Sequence, residues 1–167
     1  MAMGVRHARV GTALGEVTLV ADGEVVTGLY FPGHWHMPDQ SAFGVRVDGG
    51  QDALFLGAAR ELDEYLAGGR RTFETPVGTA GDTFSERVWA LLRDIPYGET
   101  TTYGALAQRL GDRHLAQRVG QAVGRNPVCV FIPCHRVVGA GGALTGYAGG
   151  LDRKRRLLEL EEPAEVA

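Results

Sequence analysis

TTYGALAQRLGDRHLAQRVGQAVGRN, residues 101–126, decides the fold of the C-terminal half. Helix Tyr103–Leu110 is predicted to close on Gly111, the residue type that accepts the left-handed backbone of a helix end. Asp112 then caps the next helix, which runs to about Val123 before Gly124. Two short helices joined by a tight glycine turn outline a helix-turn-helix, whose second helix usually meets DNA. Leu115, Val119, Ala122 and Val123 form an apolar stripe on that second helix, leaving Gln117, Gly120, Gln121 and Gly124 outward. So flat a polar face suits close approach to a narrow groove read with little sequence preference, since a major-groove helix normally projects long base-reading side chains. An ordinary solvent face would have the same composition.

Upstream, Thr83 or Ser85 can cap a helix carrying Val88, Leu91 and Leu92, and IPYGET (95–100) ends it. TPVGTAGDT (75–83) lacks periodicity and reads as a boundary, placing an N-terminal α/β lobe at 1–78 and a mainly helical lobe at 79–167. The runs RHARVGTA, GEVTLVA and EVVTGLYF predict a small antiparallel sheet, with Asp22-Gly23 at a tight hairpin turn. FPGHWHMPDQ and VDGGQ read as loops. From Asp52 the residues Leu54, Phe55, Ala58, Leu62, Tyr65 and Leu66 recur at helical spacing until Gly68-Gly69, predicting a helix packed on the sheet.

The net charge of −3 conceals an asymmetry. Residues 1–82 carry six basic and eleven acidic side chains, whereas residues 83–167 carry eleven and nine. Between Tyr103 and Arg136, Arg109, Arg113, Arg118, Arg125 and Arg136 stand against Asp112 alone, a local excess suited to phosphates or simply to solvent. No segment approaches the roughly 18 apolar residues of a membrane span. With no signal-like N-terminus and only two cysteines, Cys129 and Cys134, the expected compartment is the cytoplasm and no disulfide framework is expected.

Those cysteines differ in setting. Cys129, between Val128 and Val130, reads as inert packing. Cys134, in IPCHRVVG (132–139), has a rigid residue before it and a base and a cation after it, the surroundings that favour a reactive thiolate. Adjacent side chains in extended backbone point apart, so the chain must turn there or a water must bridge sulfur and imidazole. In LDRKRRLLELEE (151–162), Glu161 falls beside the buried face marked by Leu157 and Leu158, where it either orients a base or edges an amphipathic helix. GAGGALTG (139–146) lacks the third glycine of a dinucleotide loop and the GK[ST] of a phosphate loop, and His34-Trp35-His36 lacks a third ligand, so no cofactor or metal is expected.

VWALLRDIPYGETTTYGALA, GRNP, IPCHRVVG and GYAGGLDRKRRLLELE, in that order, make the chain from about Phe84 to Glu161 resemble the O6-alkylguanine-DNA alkyltransferases, with looser agreement N-terminally. The resemblance implies a ribonuclease H-like N-terminal lobe and a helix-turn-helix that enters the minor groove of double-stranded DNA and flips the O6-alkylguanine into a pocket. Alkyl transfer would be irreversible and single-turnover, with O4-alkylthymine as a further candidate substrate. Cys134 matches the alkyl acceptor, His135 the base acting through a water, Glu161 the carboxylate orienting it, and Tyr103 the tyrosine that donates to the purine and turns the phosphate. Asn126 matches the brace between recognition helix and active site, and Val137 with the backbone of Tyr147 and Ala148 the base pocket. The implied DNA contacts fall at Ser85, Thr102, Ala116, Gln117, Arg118, Gly120, Gln121 and Arg125. Two positions depart from the pattern. Gln117 stands where the family usually carries an arginine that fills the gap left by the flipped base, and Arg118, about 100° further round the helix, is poorly aimed to replace it; Ser85 stands where bacterial relatives often carry glutamine.

No cofactor is implied, and a monomer able to cluster on DNA is expected. A non-catalytic lesion binder would lack Cys134, a transcriptional regulator would carry longer base-reading side chains and a dimerisation surface, and a thiol hydrolase would turn over with water.

Overall fold

In the second strand, Val17, Leu19 and Ala21 are buried on one face, the period-two pattern that commits a strand to a core. The computed structural model describes residues 4–162. Strands β1 (Val5–Thr12), β2 (Gly15–Asp22) and β3 (Val25–Tyr30) form the expected antiparallel meander, with Gly23 in the left-handed region at φ 61° between β2 and β3. The sheet is mixed rather than purely antiparallel. A two-residue β4 (Val45–Arg46) pairs in parallel with β1 at Arg6 and His7, giving the order β3-β2-β1-β4. The chain leaves β3 on one edge, crosses the sheet through residues 31–44 and reaches the other edge running beside β1. Gly44 makes that arrival possible, since a Cβ there would sit 1.9 Å from the Val5 carbonyl oxygen.

Asp52 caps helix α1 (Ala53–Leu66) by accepting from the Leu54 and Phe55 amides, and its carboxylate pairs with Arg6 of β1 at 2.6 Å, so one side chain starts the helix and ties it to the sheet. The helix buries Phe55, Ala58, Leu62 and Tyr65. The chain around the expected boundary is anchored at both sides. Glu61 of α1 accepts from the Glu74 and Thr75 amides, and the Val26 amide donates to the Pro76 carbonyl while Gly78 donates back to Val26.

Helix α2 (Thr83–Arg93) is capped by Asp82, not by Thr83 or Ser85: its carboxylate accepts from the Ser85 amide at 2.7 Å. Helix α3 (Tyr103–Arg109) ends one residue earlier than expected, with Gly111 at φ 106° in the turn. Asp112 caps a single 3-10 turn (Arg113–Leu115), and only then does α4 (Ala116–Gly124) begin. Val119, Ala122 and Val123 face inward as the stripe requires, and the Trp89 indole of α2 donates to the Ala122 carbonyl at 2.8 Å, clamping α4 in place. A parallel pair, β5 (Thr101–Thr102) with β6 (Val137–Val138), sets the start of α3 beside the Cys134 segment. Helix α5 (Leu151–Glu161) is the last helix among the described residues and buries Lys154, Leu157 and Glu161. Buried apolar residues from the sheet, α1 and the C-terminal helices form one continuous cluster. Among the described residues no helix is long and apolar enough to cross a membrane.

Candidate functional site

Pro133 leads into a single 3-10 turn, Cys134–Arg136, and this turn separates three side chains that an extended strand would have alternated. The loop before it is held by Asn126, whose amide donates to the Ile132 carbonyl at 2.9 Å and whose oxygen accepts from the Val128 amide at 3.0 Å. Within the loop Val130 takes φ 75°, a strained conformation for a β-branched residue, which the two Asn126 bonds help to hold.

Cys134 lines a cavity of about 550 Å³, within the size range of small-molecule sites. Tyr103, Ala116, Gln117, Gly120 and Gln121 line it from α3 and α4, and Tyr147 and Ala148 from the loop before α5. Trp35 and His36 complete the rim from the N-terminal part. Tyr103 keeps its hydroxyl near the opening, where it accepts from Thr145 Oγ1 at 3.0 Å.

Behind the turn lies a buried polar cluster. Glu161, 3 % exposed, accepts from His135 Nε2 at 2.8 Å, from Arg136 Nε and Nη2 at 2.8 Å each, from the Tyr65 hydroxyl, and from the Gly98 amide at 3.4 Å. Burial alone would raise its pKa, but the bonds from His135, Arg136 and Tyr65 outweigh it and hold the carboxyl far below the usual carboxylate range. Burial lowers the His135 pKa against the pull of Glu161, so the imidazole is neutral at pH 7. With its Nε2–H directed at the carboxylate, the unpartnered Nδ1 carries a free lone pair, the form a general base needs.

The Cys134 sulfur has its own surroundings. Cys129 Sγ lies 3.7 Å away. The hydrogen bond with Cys129 lowers the Cys134 pKa, burial opposes, and the Asn126 amide and the Lys154 ammonium add to the lowering. Cys129 moves the opposite way, well above an ordinary thiol, so of the two sulfurs Cys134 is the one that ionises more readily.

The family model described as "6-O-methylguanine DNA methyltransferase, DNA binding domain" matches residues 83–163. The methylated-DNA–protein-cysteine methyltransferase of Mycobacterium tuberculosis is 40% identical over 172 residues, covering 97% of each chain. The chain belongs to the methylated-DNA–protein-cysteine methyltransferase family. Among solved structures, that of Mycobacterium tuberculosis OGT in complex with DNA superposes with a TM-score of 0.85 at 39% identity, covering 93% of this chain and 92% of that one. The O6-methylguanine DNA methyltransferase of Methanococcus jannaschii gives 0.65 at 27%, covering 91% of each.

Against the expectations for such a methyltransferase, most named residues converge and some do not. Ala116, Gln117, Gly120, Gln121, Tyr103, Cys134, Tyr147 and Ala148 share the cavity. Val137 does not line it: it is fully buried in β6, paired with Thr101, because its strand faces the core. Ser85, Thr102, Arg118 and Arg125 lie outside the cavity. Thr102 Oγ1 caps α3 by accepting from the Ala105 amide, and Arg118 stacks over the Phe84 ring at 4.1 Å. Arg136, the cation next to the thiol in sequence, turns to Glu161 and the Ile95 carbonyl, leaving Lys154 as the cation that acts on the sulfur. Sequence reasoning missed the roles of Tyr65, Lys154, Cys129 and Trp35. Tyr65 reads as one more apolar position of α1, and Lys154 lies in the run RKRR that resembles a solvated face. Among the described residues no group of three or more His, Cys, Asp or Glu could hold a metal ion, and His34 Nδ1 accepts from the Phe31 amide instead.

Proposed function

We propose that the protein repairs DNA directly, moving an alkyl group from O6 of a guanine to Cys134 Sγ. The observation that carries this is a cysteine with a lowered pKa at the wall of a cavity with room for a base, followed in sequence by a neutral imidazole that is hydrogen-bonded to a buried carboxylate. The α3–α4 unit acts as a helix-turn-helix and places the small outward face of α4, Gln117, Gly120, Gln121 and Gly124, against the minor groove of double-stranded DNA. Ser85, Thr102, Ala116, Arg118 and Arg125 contact the backbone around it. The lesion is extruded into the cavity at a cost of a few kcal/mol, less for a base already weakly paired.

His135 Nδ1 takes the Cys134 proton through a water, and Glu161 stabilises the imidazolium so formed. The thiolate attacks the alkyl carbon in line; the S–C bond forms, the C–O bond breaks, and its electron pair returns to the purine. Tyr103, held at the cavity mouth by Thr145, supplies the proton that neutralises the leaving base. The product is a thioether that no group in the site can cleave, so each molecule acts once. Residues 1–78 form a ribonuclease H-like lobe and 79–167 the DNA-binding and acceptor lobe, the protein works as a monomer able to cluster on DNA, and it does so in the cytoplasm, where both thiols stay reduced.

Incubation with a duplex carrying O6-methylguanine, followed by intact-protein mass measurement, tests this. One methyl mass per molecule, absent in Cys134→Ser, is expected. An unchanged mass on a protein that still binds the duplex refutes it, and catalytic turnover without a mass gain points to a hydrolase.

A further inference from the structure

The proposed acceptor has a second thiol at its back. Cys129 and Cys134 are both free, and their sulfurs lie 3.7 Å apart because a bridge between Cys129 and Ile132 folds the loop so that residues five apart face each other. The two sulfurs have different access. Cys134 lines the cavity, whereas Cys129 is fully buried and does not line it. Cys134 is itself 3 % exposed, so the cavity is its one route to a small reagent.

We propose that Cys129 and Cys134 form a peroxide-reactive pair, in which a peroxide entering the cavity oxidises Cys134 and Cys129 resolves the product as an intramolecular disulfide. In the first step the Cys134 thiolate attacks one oxygen of hydrogen peroxide. The O–O bond breaks, hydroxide leaves, and the sulfur, having lost two electrons, becomes a sulfenic acid. In the second step Cys129 attacks the Cys134 sulfur, the S–O bond breaks, and the departing oxygen takes the Cys129 proton and leaves as water. Two thiols have lost two protons and two electrons, and the peroxide has become water.

The geometry favours the second step. Displacement at sulfur needs the incoming thiol close to the sulfur under attack, and Cys129 Sγ already lies 3.7 Å from it. The sulfurs must close from 3.7 Å to about 2.0 Å for the bond to form. The Asn126 carbonyl, 3.9 Å from Cys129 Sγ, holds the resolving thiol in place meanwhile. The consequence is protective. A sulfinic acid on Cys134 would be irreversible, whereas a disulfide returns to two thiols with a cellular reductant. This chemistry depends on the two sulfurs alone and holds whether or not Cys134 accepts alkyl groups.

The test treats the reduced full-length protein with hydrogen peroxide, unfolds it in guanidinium chloride so that buried thiols are reached, caps remaining thiols with N-ethylmaleimide, and records intact mass before and after dithiothreitol. The wild type should lose the mass of two hydrogens, take up no maleimide and regain both thiols on reduction, and peptide mapping should place the cross-link between Cys129 and Cys134. Cys129→Ser and Cys129→Ala should instead gain oxygen on Cys134, progressing to a form dithiothreitol does not reverse. Wild-type protein that gains oxygen while Cys129 still takes up maleimide, or that cross-links between chains, overturns the inference without recourse to either variant. Methyl uptake from the O6-methylguanine duplex, measured on the same batch, separates the two ideas: cross-linking without methyl uptake sinks the repair reading alone, and methyl uptake without cross-linking sinks the dithiol alone.

Discussion

Replacing Glu161 by glutamine keeps the shape of the side chain and removes the charge around which the interior cluster is built. Oε1 faces Arg136 Nε and the Gly98 amide; Oε2 faces Arg136 Nη2, His135 Nε2 and the Tyr65 hydroxyl. Every partner is a donor. Whichever oxygen becomes the amide nitrogen, a donor then meets at least one guanidinium N–H in a site 3 % exposed, and Arg136 is left as a buried cation without its counter-charge. Breaking one side of a buried pair costs about 3–5 kcal/mol, which for a chain of this size is a fall in Tm of roughly 6–20 °C.

The pH dependence carries a second check. Glu161 is depressed in the folded state, so its contribution is complete above the unfolded carboxyl pKa and is lost as pH falls through the folded one. The wild-type advantage should therefore be full at pH 7 and shrink in strong acid. Calorimetric melts of both proteins at pH 7 and pH 3 measure it. A fall below about 2 °C at pH 7, or a gap that widens in acid, would refute the picture of a charged hub.

Gln117→Arg adds a cation at the cavity lip that Arg118, stacked on Phe84, does not provide, so affinity for duplex DNA should rise roughly ten- to a hundredfold, with a log–log salt slope steeper by up to about 0.9. Fluorescence anisotropy at several salt concentrations reads both, and unchanged affinity contradicts the expectation. Lys154→Met removes a fully buried ammonium that donates to the Gly146 carbonyl at 3.3 Å; Tm should hold or rise, while the reaction of Cys134 with iodoacetamide at neutral pH slows and its pH midpoint moves up. His34 has its pKa pushed down to about 4, chiefly by burial, with Arg153 and His36 adding. Its neutral form is favoured on folding, so its contribution is complete above pH 6.5 and is lost as pH falls from there towards 4; urea midpoints should drop across that window in the wild type and drop less in His34→Gln.

How much of this was legible in the sequence follows from how local each signal is. The meander, α1 and the α3–turn–α4 unit depend on periodicity and capping within a dozen residues, and they are found where expected. The parallel strand β4 was not legible, because two residues leave no period and their pairing with β1 is decided by a crossing loop. Asp82 was passed over because Thr83 and Ser85 have equal claim as cap residues when only type is considered.

Local type likewise marked Cys134: a thiol between proline and a His-Arg pair invites attention wherever it lies. Which cation acts on that thiol is a different kind of question, since it depends on the direction the chain turns. Arg136, two residues away, is drawn off by Glu161, an acceptor with both oxygens free to receive a guanidinium fork. Lys154, twenty residues on, supplies the field because α5 buries it, and Cys129, dismissed as packing between two valines, is buried as expected yet faces the sulfur that matters. Burial is therefore a poor guide to inertness here. The same enclosure that hides Lys154 and Cys129 from solvent strengthens what they do to the thiolate, because a charge or a hydrogen bond counts for more where water cannot screen it.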